Sequence, residues 1–532
     1  MLNLDSLTLK YFFEENFDFI NGAIVQKIQL PSRHEIILNL RNLNHEKQEN
    51  KKLYININPK YPHICFINEK TSKLRNIEIP KNPPMFCMQL RKYLNGSKIK
   101  DFRLVKYERI IELYFDYFDE IGSLTKLCLA LEFMGKHSNV ILYNATSKII
   151  IGSIHNISAQ KSSVREVYGG INYIYPPQKN KLDILNTSFS TFHEIAKAND
   201  IKLLSENFYY FSQNILSEIF KNFNSPEDIF SFMQNLEMGK EKRFIIDFWA
   251  KDEKNLNQAL DDYFSKILFN EILSAQKVNL KKVPTKQIKK LSDRLNAVVD
   301  EKKVLKYKLM ADYIMAYMYN IKPNQEFLEV DDLKIPLEIN LSVNENAQKY
   351  YAKYKKMKST YEYSLSRANK AQKELEYLEG ILFNIENSSS FEELNQIKQE
   401  LIEMNYLEKK PTKQTSEKNN IQIEKIEFQN YQIYLGKNNK QNDYLISKIA
   451  KNEDLWFHGQ GFPSSHVILK VLDNNEVPKE VMEFCAKLTK ENSKAKNSSK
   501  APIIMTKRKN LKKPPNAHPG YVIYKNEIEI VV

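Results

Sequence analysis

The chain has 532 residues, which exceeds one hydrophobic core and predicts three or four domains. Its formal net charge of +14 favours an anionic partner, either nucleic acid or an acidic membrane surface, although an AT-rich genome also produces excess lysine. We expect neither a membrane span nor a signal peptide, because no stretch approaches twenty apolar residues and the first residues lack a basic segment before an apolar core.

Residues 1–180 predict an α/β domain. A first helix is expected after Asp5, which is a suitable N-cap. Strand-like runs follow at residues 23–29, 34–40, 52–58 and 63–67. The segment 83–94 opens with prolines and then carries apolar residues at helical spacing, and further strands are expected at 110–117 and 139–143.

Residues 181–250 predict a small all-helical module, because strand runs are lacking there. Its clearest helices are expected at 182–199 and 208–223.

Residues 251–407 predict a coiled-coil hairpin. Apolar residues from Ile288 onward, and again from Ala347 to Ile385, alternate at spacings of three and four, which is a heptad pattern. A strand-like insert, at about 306–345, separates the two arms and predicts a tip module. Pro284 is expected to kink the first arm or to mark its start. The alternative is a helix bundle folded onto the rest of the chain.

A polar, Lys-rich linker is expected at 408–420, before a compact α/β domain at 421–532. That last domain predicts strands at 423–429 and 431–436, a helix at 478–490 and a closing strand at 521–532.

The segment 454–470, DLWFHGQGFPSSHVILK, is the clearest candidate for RNA contact. Trp456 can stack on a base, and His458, Ser465 and His466 can bind phosphate or 2′-hydroxyl groups. Alternatively, Trp456 belongs to the core and the histidines cap it. A Ser-His hydrolase is less favoured, because the loop lacks a G-x-S-x-G elbow.

Basic residues surround this loop. They can follow a phosphate backbone, or they can form an ordinary solvated surface: Lys487, Lys490, Lys494, Lys496, Lys500, Lys507, Arg508, Lys509, Lys512 and Lys513.

Two further motifs lie in the first domain. MGKHSNVIL places polar residues in a turn before a strand, and YERI sets Glu108 beside Arg109. Such a pair is usually an ordinary surface pair. In a groove, however, Arg109 could grip a phosphate or stack on a base while Glu108 accepts a hydrogen bond.

The four cysteines form no CxxC or CxxH pair, so no zinc site, other metal or cofactor is expected. Three of them lie in apolar runs, which predicts buried reduced thiols and a cytoplasmic protein: Cys65, Cys87 and Cys128.

Several long motifs resemble the NFACT family, also called RqcH/NEMF. PPMFCMQLRKYLNGSKI, ERII, LALEFMGKHSNVIL and REVYGGINYIYPP are similar to its first domain, in that order. NENAQKYYAKYKKMKSTYE and ELEYLEGIL are similar to its second coiled-coil arm. GKNNKQNDYLISKIAKNEDLWFHGQGFPSSHVILK and LKKPPNAHPGYVIY are similar to its RNA-binding module. The resemblance covers nearly the whole chain.

The resemblance implies a multidomain α+β protein with a glycosylase-like first domain and a helix-hairpin-helix-like module. It implies a cytoplasmic scaffold that binds large (50S) ribosomal subunits blocked by peptidyl-tRNA. Such a scaffold recruits tRNA, in bacteria alanyl-tRNA, so that the ribosome extends the stalled chain without mRNA and marks it for degradation. It further implies rRNA contacts and a small S4-like partner, RqcP, and it assigns the peptide bond to the ribosome.

The resemblance also implies site residues. Contacts with tRNA are expected at Asp5, Arg91, Glu108, Arg109, Lys136, His137, Ser138 and Asn139. RNA contacts of the last domain are expected at Asn438, Asn439, Gln441, Asn442, Asp454, Trp456, His458, Ser465, His466, Lys512 and Lys513. Glu108 stands where the family has an aspartate, and Ser464 stands where it has a glycine, which loses conformational freedom if that turn needs a positive φ.

Two other classes of function stay open at this stage. A surface adhesin is suggested by the fibronectin-binding label that relatives have carried, but no export signal is seen. A DNA glycosylase is suggested because the first two domains of the NFACT family are related to such enzymes. Those glycosylases use an N-terminal proline as nucleophile, and no proline follows Met1 here.

Overall fold

The structure is a computed structural model of the chain. It describes residues 2–43, 50–118, 121–197, 200–296, 300–323, 325–330, 333–408, 421–471 and 476–532. The chain divides into two compact units, Met1–Ile272 and Leu273–Val532. Residues 409–420, almost all of the predicted linker, lie outside the described residues. The predicted domain boundaries, and the glycosylase-like and helix-hairpin-helix-like labels, stay predictions.

The first unit opens with helix α1 and a four-stranded antiparallel sheet in the order β1-β2-β3-β4. Helix α1 begins where predicted, because the Asp5 carboxylate caps its first turn. The elements are α1 (Ser6–Ile20), β1 (Ile24–Ser32), β2 (Glu35–Arg41), β3 (Asn50–Asn56), β4 (His63–Ile67), α2 (Glu69–Leu74) and α3 (Met85–Leu94). The strand predictions for this part are confirmed to within a few residues.

A second antiparallel sheet has five strands in chain order: β5 (Ile99–Leu104), β6 (Ile110–Phe118), β7 (Leu124–Glu132), β8 (Asn139–Asn144) and β9 (Ile150–Ser153). Ile110 pairs with Glu132, which pairs with Asn139, and Ile141 pairs with Ser153. The start of β6, the β7–β8 turn and the end of β9 therefore lie at one end of this sheet, which we call the β6 end.

Five short helices follow the sheets: α4 (Phe189–Ala196), α5 (Ile201–Asn207), α6 (Gln213–Asn222), α7 (Pro226–Glu237) and α8 (Lys242–Trp249). The all-helical prediction is confirmed, but both predicted helices were too long. Leu182 and Phe208 pair as an isolated bridge instead of lying in helices. Helices and sheets share one core, which buries Phe12, Phe102 and Phe192.

The long helices are α9 (Leu256–Asn296), α10 (Glu301–Ala316), α11 (Val343–Asn387) and α12 (Phe391–Glu403). Helix α9 starts well before the heptad pattern and continues through Pro284, so the prediction that this proline marks the start was wrong. Near its start, the buried Asp261 pairs with Arg75 at 2.6 Å, which ties α9 to α2.

Helices α10 and α11 pack as antiparallel arms. The Tyr351 hydroxyl donates to Asp312 Oδ1 at 2.5 Å, whereas the Tyr361 hydroxyl is bonded to Glu301. The later residue of α10 therefore contacts the earlier residue of α11, so the two helices run in opposite directions. At the far end, the hairpin of β10 (Phe327–Val330) and β11 (Leu333–Pro336) packs on α10 and α11 through Leu328 and Ile335.

The last part of the second unit is a six-stranded antiparallel sheet in the order β12-β13-β15-β14-β16-β17. Its elements are β12 (Glu424–Phe428), β13 (Tyr431–Gly436), α13 (Asn439–Tyr444), β14 (Leu455–Gly459), β15 (His466–Leu469), α14 (Lys479–Glu491), β16 (Pro502–Lys507) and β17 (Ile528–Val531). The predicted closing strand is wrong for most of its length: within 521–532 only β17 is a strand.

All four cysteines are buried free thiols, which confirms the prediction for Cys65, Cys87 and Cys128 and adds Cys485. Across the described ranges, no helix combines the length and the apolar character needed to cross a membrane.

Candidate nucleic-acid interfaces

The Asp5 carboxylate holds together two parts of the first unit. Its Oδ1 accepts from the Thr8 backbone N–H at 2.7 Å, and its Oδ2 accepts from Ser212 Oγ at 2.9 Å. Burial raises the pKa of Asp5, and these hydrogen bonds and the nearby charge of Arg109 offset part of that rise. Asp5 is thus a buried anchor beside Arg109.

Glu108 and Arg109 lie in the β5–β6 turn and are both half-buried. Arg109 Nη1 donates to the Leu4 carbonyl oxygen at 3.3 Å. Burial lowers the pKa of Arg109 and raises that of Glu108, while the charges of Asp5 and Glu108 favour the guanidinium. Partial burial makes this more than an ordinary surface pair, because charges interact more strongly away from water.

Tyr107 supports this turn, and no sequence pattern predicted that role. Its φ of +68° lies in the left-handed region, which a bulky residue rarely adopts. Its hydroxyl donates to Asp183 at 2.5 Å, and its ring stacks on Tyr209 with centroids 4.0 Å apart. The residue before Glu108 is therefore held by the helical module.

The turn from Gly135 to Asn139 separates into exposed and buried residues. Lys136 and His137 are exposed. Ser138 is buried, and its Oγ has no hydrogen-bond partner in the part of the chain that the structure describes. Asn139 is fully buried, and its Nδ2 donates to the His155 carbonyl oxygen at 2.9 Å. Lys136 and His137 can therefore contact RNA directly, whereas Asn139 fixes the turn.

Sheet register brings part of the predicted tRNA set together. Arg109 immediately precedes Ile110, and its carbonyl oxygen accepts from the Phe133 backbone N–H at 2.9 Å. Arg109 and the Lys136 turn therefore share the β6 end. Arg91 is held elsewhere, because its Nε donates to the Ile28 carbonyl oxygen at 2.9 Å on β1.

In the second unit, the predicted asparagine and glutamine residues contact helix α12. Asn438 Nδ2 and Gln441 Nε2 both donate to Gln396 Oε1, at 2.7 and 3.0 Å. Asn439 Nδ2 donates to Glu400 Oε1 at 2.9 Å. Through these contacts the three side chains bind the last domain to helix α12. Their contact with RNA stays a prediction.

Asn442 occupies the space beside Gly436. A Cβ on Gly436 would come within 2.2 Å of Asn442 Oδ1, so only glycine fits there. Asn442 Oδ1 also accepts from the His466 backbone N–H at 3.3 Å. Asn442 thus positions the histidine strand.

Trp456, His458 and His466 form one aromatic cluster. The ring of Trp456 lies parallel to that of His458 at 5.4 Å and edge-on to that of His466 at 5.2 Å. Trp456 and His466 are almost fully buried, and burial lowers the pKa of His458 to about 4. Neutral, buried rings favour the alternative in which Trp456 belongs to the core, and His458 is the most accessible of the three.

The polar residues around this cluster are also bonded internally. Asp454 Oδ2 accepts from Lys470 Nζ at 2.6 Å. Ser465 is buried, and its backbone N–H donates to the Asn492 carbonyl oxygen at 2.9 Å. Ser464 lies outside the left-handed region, and its Oγ accepts from the Gly459 backbone N–H at 2.8 Å. This turn therefore does not need the glycine that the family has.

Lys512 and Lys513 are exposed, so both can reach a phosphate. Lys513 pairs with Asp443, whose other carboxylate oxygen accepts from the Gly520 backbone N–H at 2.9 Å. Nearby, the ring of His518 stacks on Tyr377 of α11 with centroids 4.0 Å apart. The PPNAHPGY segment is therefore fastened beside the exposed lysines.

Sequence reasoning missed the partners that organise both regions. Ser212 lies 207 residues from Asp5, and Gln396 lies 42 residues from Asn438. No local pattern signals such pairs, because each partner alone is an ordinary polar residue on a helix or turn.

Comparisons with known proteins match nearly the whole chain. The family model described as NFACT N-terminal and middle domains matches residues 5–420, and that described as NFACT protein RNA binding domain matches residues 423–526. The chain is 29% identical over 558 residues to the Rqc2 homolog RqcH of Bacillus subtilis (strain 168), covering 96% of this chain and 95% of that protein.

It is also 27% identical over 565 residues to the Rqc2 homolog RqcH of Streptococcus suis (strain 05ZYH33), covering 99% of this chain and 97% of that one. Among solved structures, it is similar to the N-terminal part of the fibronectin/fibrinogen-binding protein from Streptococcus suis. That match has 28% identity and a TM-score of 0.38, and it covers 43% of this chain and 84% of that chain.

Proposed function

Since this chain belongs to the NFACT family, we propose that it acts in ribosome-associated quality control as an RNA-binding factor. The observation that carries the proposal is similarity along nearly the full length to proteins named Rqc2 homolog RqcH. The matched RNA-binding domain and the net charge of +14 agree with an RNA partner.

The finer proposal concerns what is bound. The chain binds large ribosomal subunits obstructed by peptidyl-tRNA and recruits a tRNA, which we propose is tRNA-Ala because the resemblance implies it. The nascent chain is then extended at its C-terminus without mRNA, and the added tail marks it for degradation. The ribosomal partner assigns the protein to the cytoplasm, and a small S4-like protein of the RqcP type is its proposed companion.

Two features of the first unit support tRNA binding. Arg109 is half-buried, and among the described residues its hydrogen bond to the Leu4 carbonyl oxygen uses Nη1, so further N–H donors can face a phosphate. The exposed Lys136 and His137 lie at the same β6 end. One RNA backbone can therefore contact both turns.

We further propose that the chain is a scaffold and makes no bond itself. His466 is buried, and burial holds its pKa well below the usual range. Its backbone N–H and that of Ser465 are both committed to internal hydrogen bonds. This geometry serves packing more readily than nucleophilic catalysis, and peptide bond formation is left to the ribosome.

The test is co-sedimentation of the purified chain with separated large and small subunits, followed by sequencing of the tRNA that remains bound. We expect the chain with large subunits carrying peptidyl-tRNA, together with tRNA enriched in one acceptor. Equal recovery on small subunits, or no enriched tRNA, would contradict the proposal.

A further inference from the structure

A group of basic side chains lies next to the β6 end, and none of them belongs to the predicted RNA-binding residues. Arg33 and His34 occupy the turn between β1 and β2, and His155 follows β9. The rings of His34 and His155 meet edge to face with centroids 5.2 Å apart. Arg33 Nε donates to His34 Nε2 at 3.0 Å. The turn and the loop therefore form one surface.

The backbone beneath this surface is fixed. The fully buried Asn139 binds His155 in both directions: its Nδ2 donates to the His155 carbonyl oxygen at 2.9 Å, and its Oδ1 accepts from the His155 N–H at 3.1 Å. The His34 carbonyl oxygen accepts from the Ile57 backbone N–H at 2.8 Å. Both histidines are thus held in place before any ligand binds.

The surroundings of the histidines are cationic. Besides burial, the charges of His34, Arg33 and Lys161 lower the pKa of His155. Arg33 and Lys161 are both exposed. The positive charges of Arg33 and Lys161 favour an anion at this surface, because the anion relieves their mutual repulsion.

The nearby carboxylate does not neutralise this charge fully. Glu35 is the acidic group that acts on His34, and its Oε1 is bonded to the Tyr54 hydroxyl. His34 Nδ1 is a buried atom that has no hydrogen-bond partner within the described ranges. The two exposed cations, Arg33 and Lys161, therefore remain for a ligand.

The sheet sets the separation between this surface and Arg109. Arg109 precedes β6, whereas His155 follows β9, three strands away in the same sheet. Strands lie about 4.8 Å apart, so the two points are roughly 14 Å apart at one end of the sheet. A segment of folded RNA covers such a distance with a few consecutive phosphates.

We propose that Arg33, His34, His155 and Lys161, the His34 cluster, bind a backbone phosphate of the tRNA that Arg109 contacts. This inference rests on the proposed function and adds a second anchor to it. Since phosphate contacts carry no sequence information, the cluster contributes affinity and orientation, while selection of the tRNA lies elsewhere.

The test compares two double variants of the full chain. Arg33→Ala with Lys161→Ala removes two exposed charges from the cluster. Lys70→Ala with Lys73→Ala removes two exposed charges from α2 and is the matched control. The equilibrium binding of deacylated tRNA is measured over a range of salt concentrations, and binding of large subunits is measured separately by co-sedimentation.

We expect the cluster variant to bind tRNA on the order of tenfold more weakly, the size of one lost charge-assisted hydrogen bond, and its salt slope to fall by about 1. The control stays within about twofold, and subunit binding is unchanged. Equal tRNA affinity in the two variants would overturn the inference. So would a loss confined to subunit binding, which would assign the phosphate to rRNA. A wild-type chain that binds no tRNA would instead overturn the proposed function.

Discussion

At the scale of single residues, Arg109 is the central residue of the proposed RNA contact. The charges of Asp5 and Glu108 favour its guanidinium, which also donates a hydrogen bond to the Leu4 carbonyl oxygen. Because a guanidinium cannot be deprotonated in a protein, it keeps its charge despite partial burial. Arg109 can therefore bind a phosphate while still contacting its own unit.

Arg109→Ala should weaken tRNA binding by tenfold or more, while binding of large subunits survives. The physical reason is the loss of charge-assisted hydrogen bonds to phosphate. Filter binding of tRNA and co-sedimentation with subunits measure the two activities. Arg103→Ala is the matched control, since Arg103 is an exposed arginine on β5. Loss of both activities in Arg109→Ala would show that Arg109 is structural.

Sequence alone identified Asp5, Glu108 and Arg109 but not what holds them. The Asp5 cap was predictable, because the cap and the helix it starts are adjacent in sequence. Burial of Asn438 and Gln441 was not predictable, because polar residues on a short helix are usually solvated. Their partner Gln396 is supplied by another helix, and only tertiary packing brings the three together.

At the scale of elements, the heptad pattern predicted the antiparallel arms, because a repeating apolar stripe must be buried against another helix. The first part of α9 lies within the hairpin predicted at 251–407, although it precedes the heptad pattern that begins at Ile288. Strand β5 was missed, because its sequence, IKDFRL, mixes charged and apolar residues. The closing strand was overextended, because β-prone residues at 521–524 pair only locally.

Pro284→Ala should stabilise the second unit by about 1–2 kcal/mol. Proline inside a helix costs about 3 kcal/mol relative to alanine, and the buried ring methylenes that are lost offset part of the gain. Urea unfolding measures the change, and Thr285→Ala, at an exposed neighbouring position, is the control. An unchanged or lower unfolding free energy would mean that the packing depends on the proline.

The stability of the contact between α12 and the last domain should depend on pH through Glu400. This carboxyl is fully buried, and burial raises its pKa to about 7, although bonds from Tyr377 and Asn439 favour its charged form. The folded chain therefore holds this proton more tightly than the unfolded chain. By linkage, the contribution of Glu400 to stability falls as the pH rises from about 4.5 to about 7.

Glu400→Gln should remove that dependence, because glutamine keeps an acceptor oxygen for both donors without a charge. We expect the variant to gain up to about 3 kcal/mol over wild type at pH 8 and little at pH 5. Urea unfolding at the two pH values measures this, with the exposed Glu403→Gln as control. A gain of equal size at both pH values would rule out titration of Glu400 as the cause.

At the scale of the whole molecule, both units present exposed cations beside internally bonded polar groups. Lys136 lies in the first unit, and Lys512 and Lys513 lie in the second. The buried polar groups fix local backbone, whereas these cations lie at the surface, where Lys513 already pairs with Asp443. The surface cations contribute to the net charge of +14, whereas the buried polar side chains form hydrogen bonds inside the protein.

Affinity for tRNA should fall steeply with salt. If about four phosphates are contacted, raising salt from about 50 to 200 mM should weaken binding roughly 50-fold, because condensed counterions are released on binding. Titration at several salt concentrations measures the slope. A flat response would contradict a phosphate-binding surface in either unit.

The most direct test of the account uses large ribosomal subunits that carry peptidyl-tRNA, supplied with aminoacyl-tRNA and no mRNA. The mass of the nascent chain is measured with and without this protein. The account predicts repeated addition of one kind of amino acid only when both protein and subunit are present. No extension, or extension by the protein without the subunit, would contradict it.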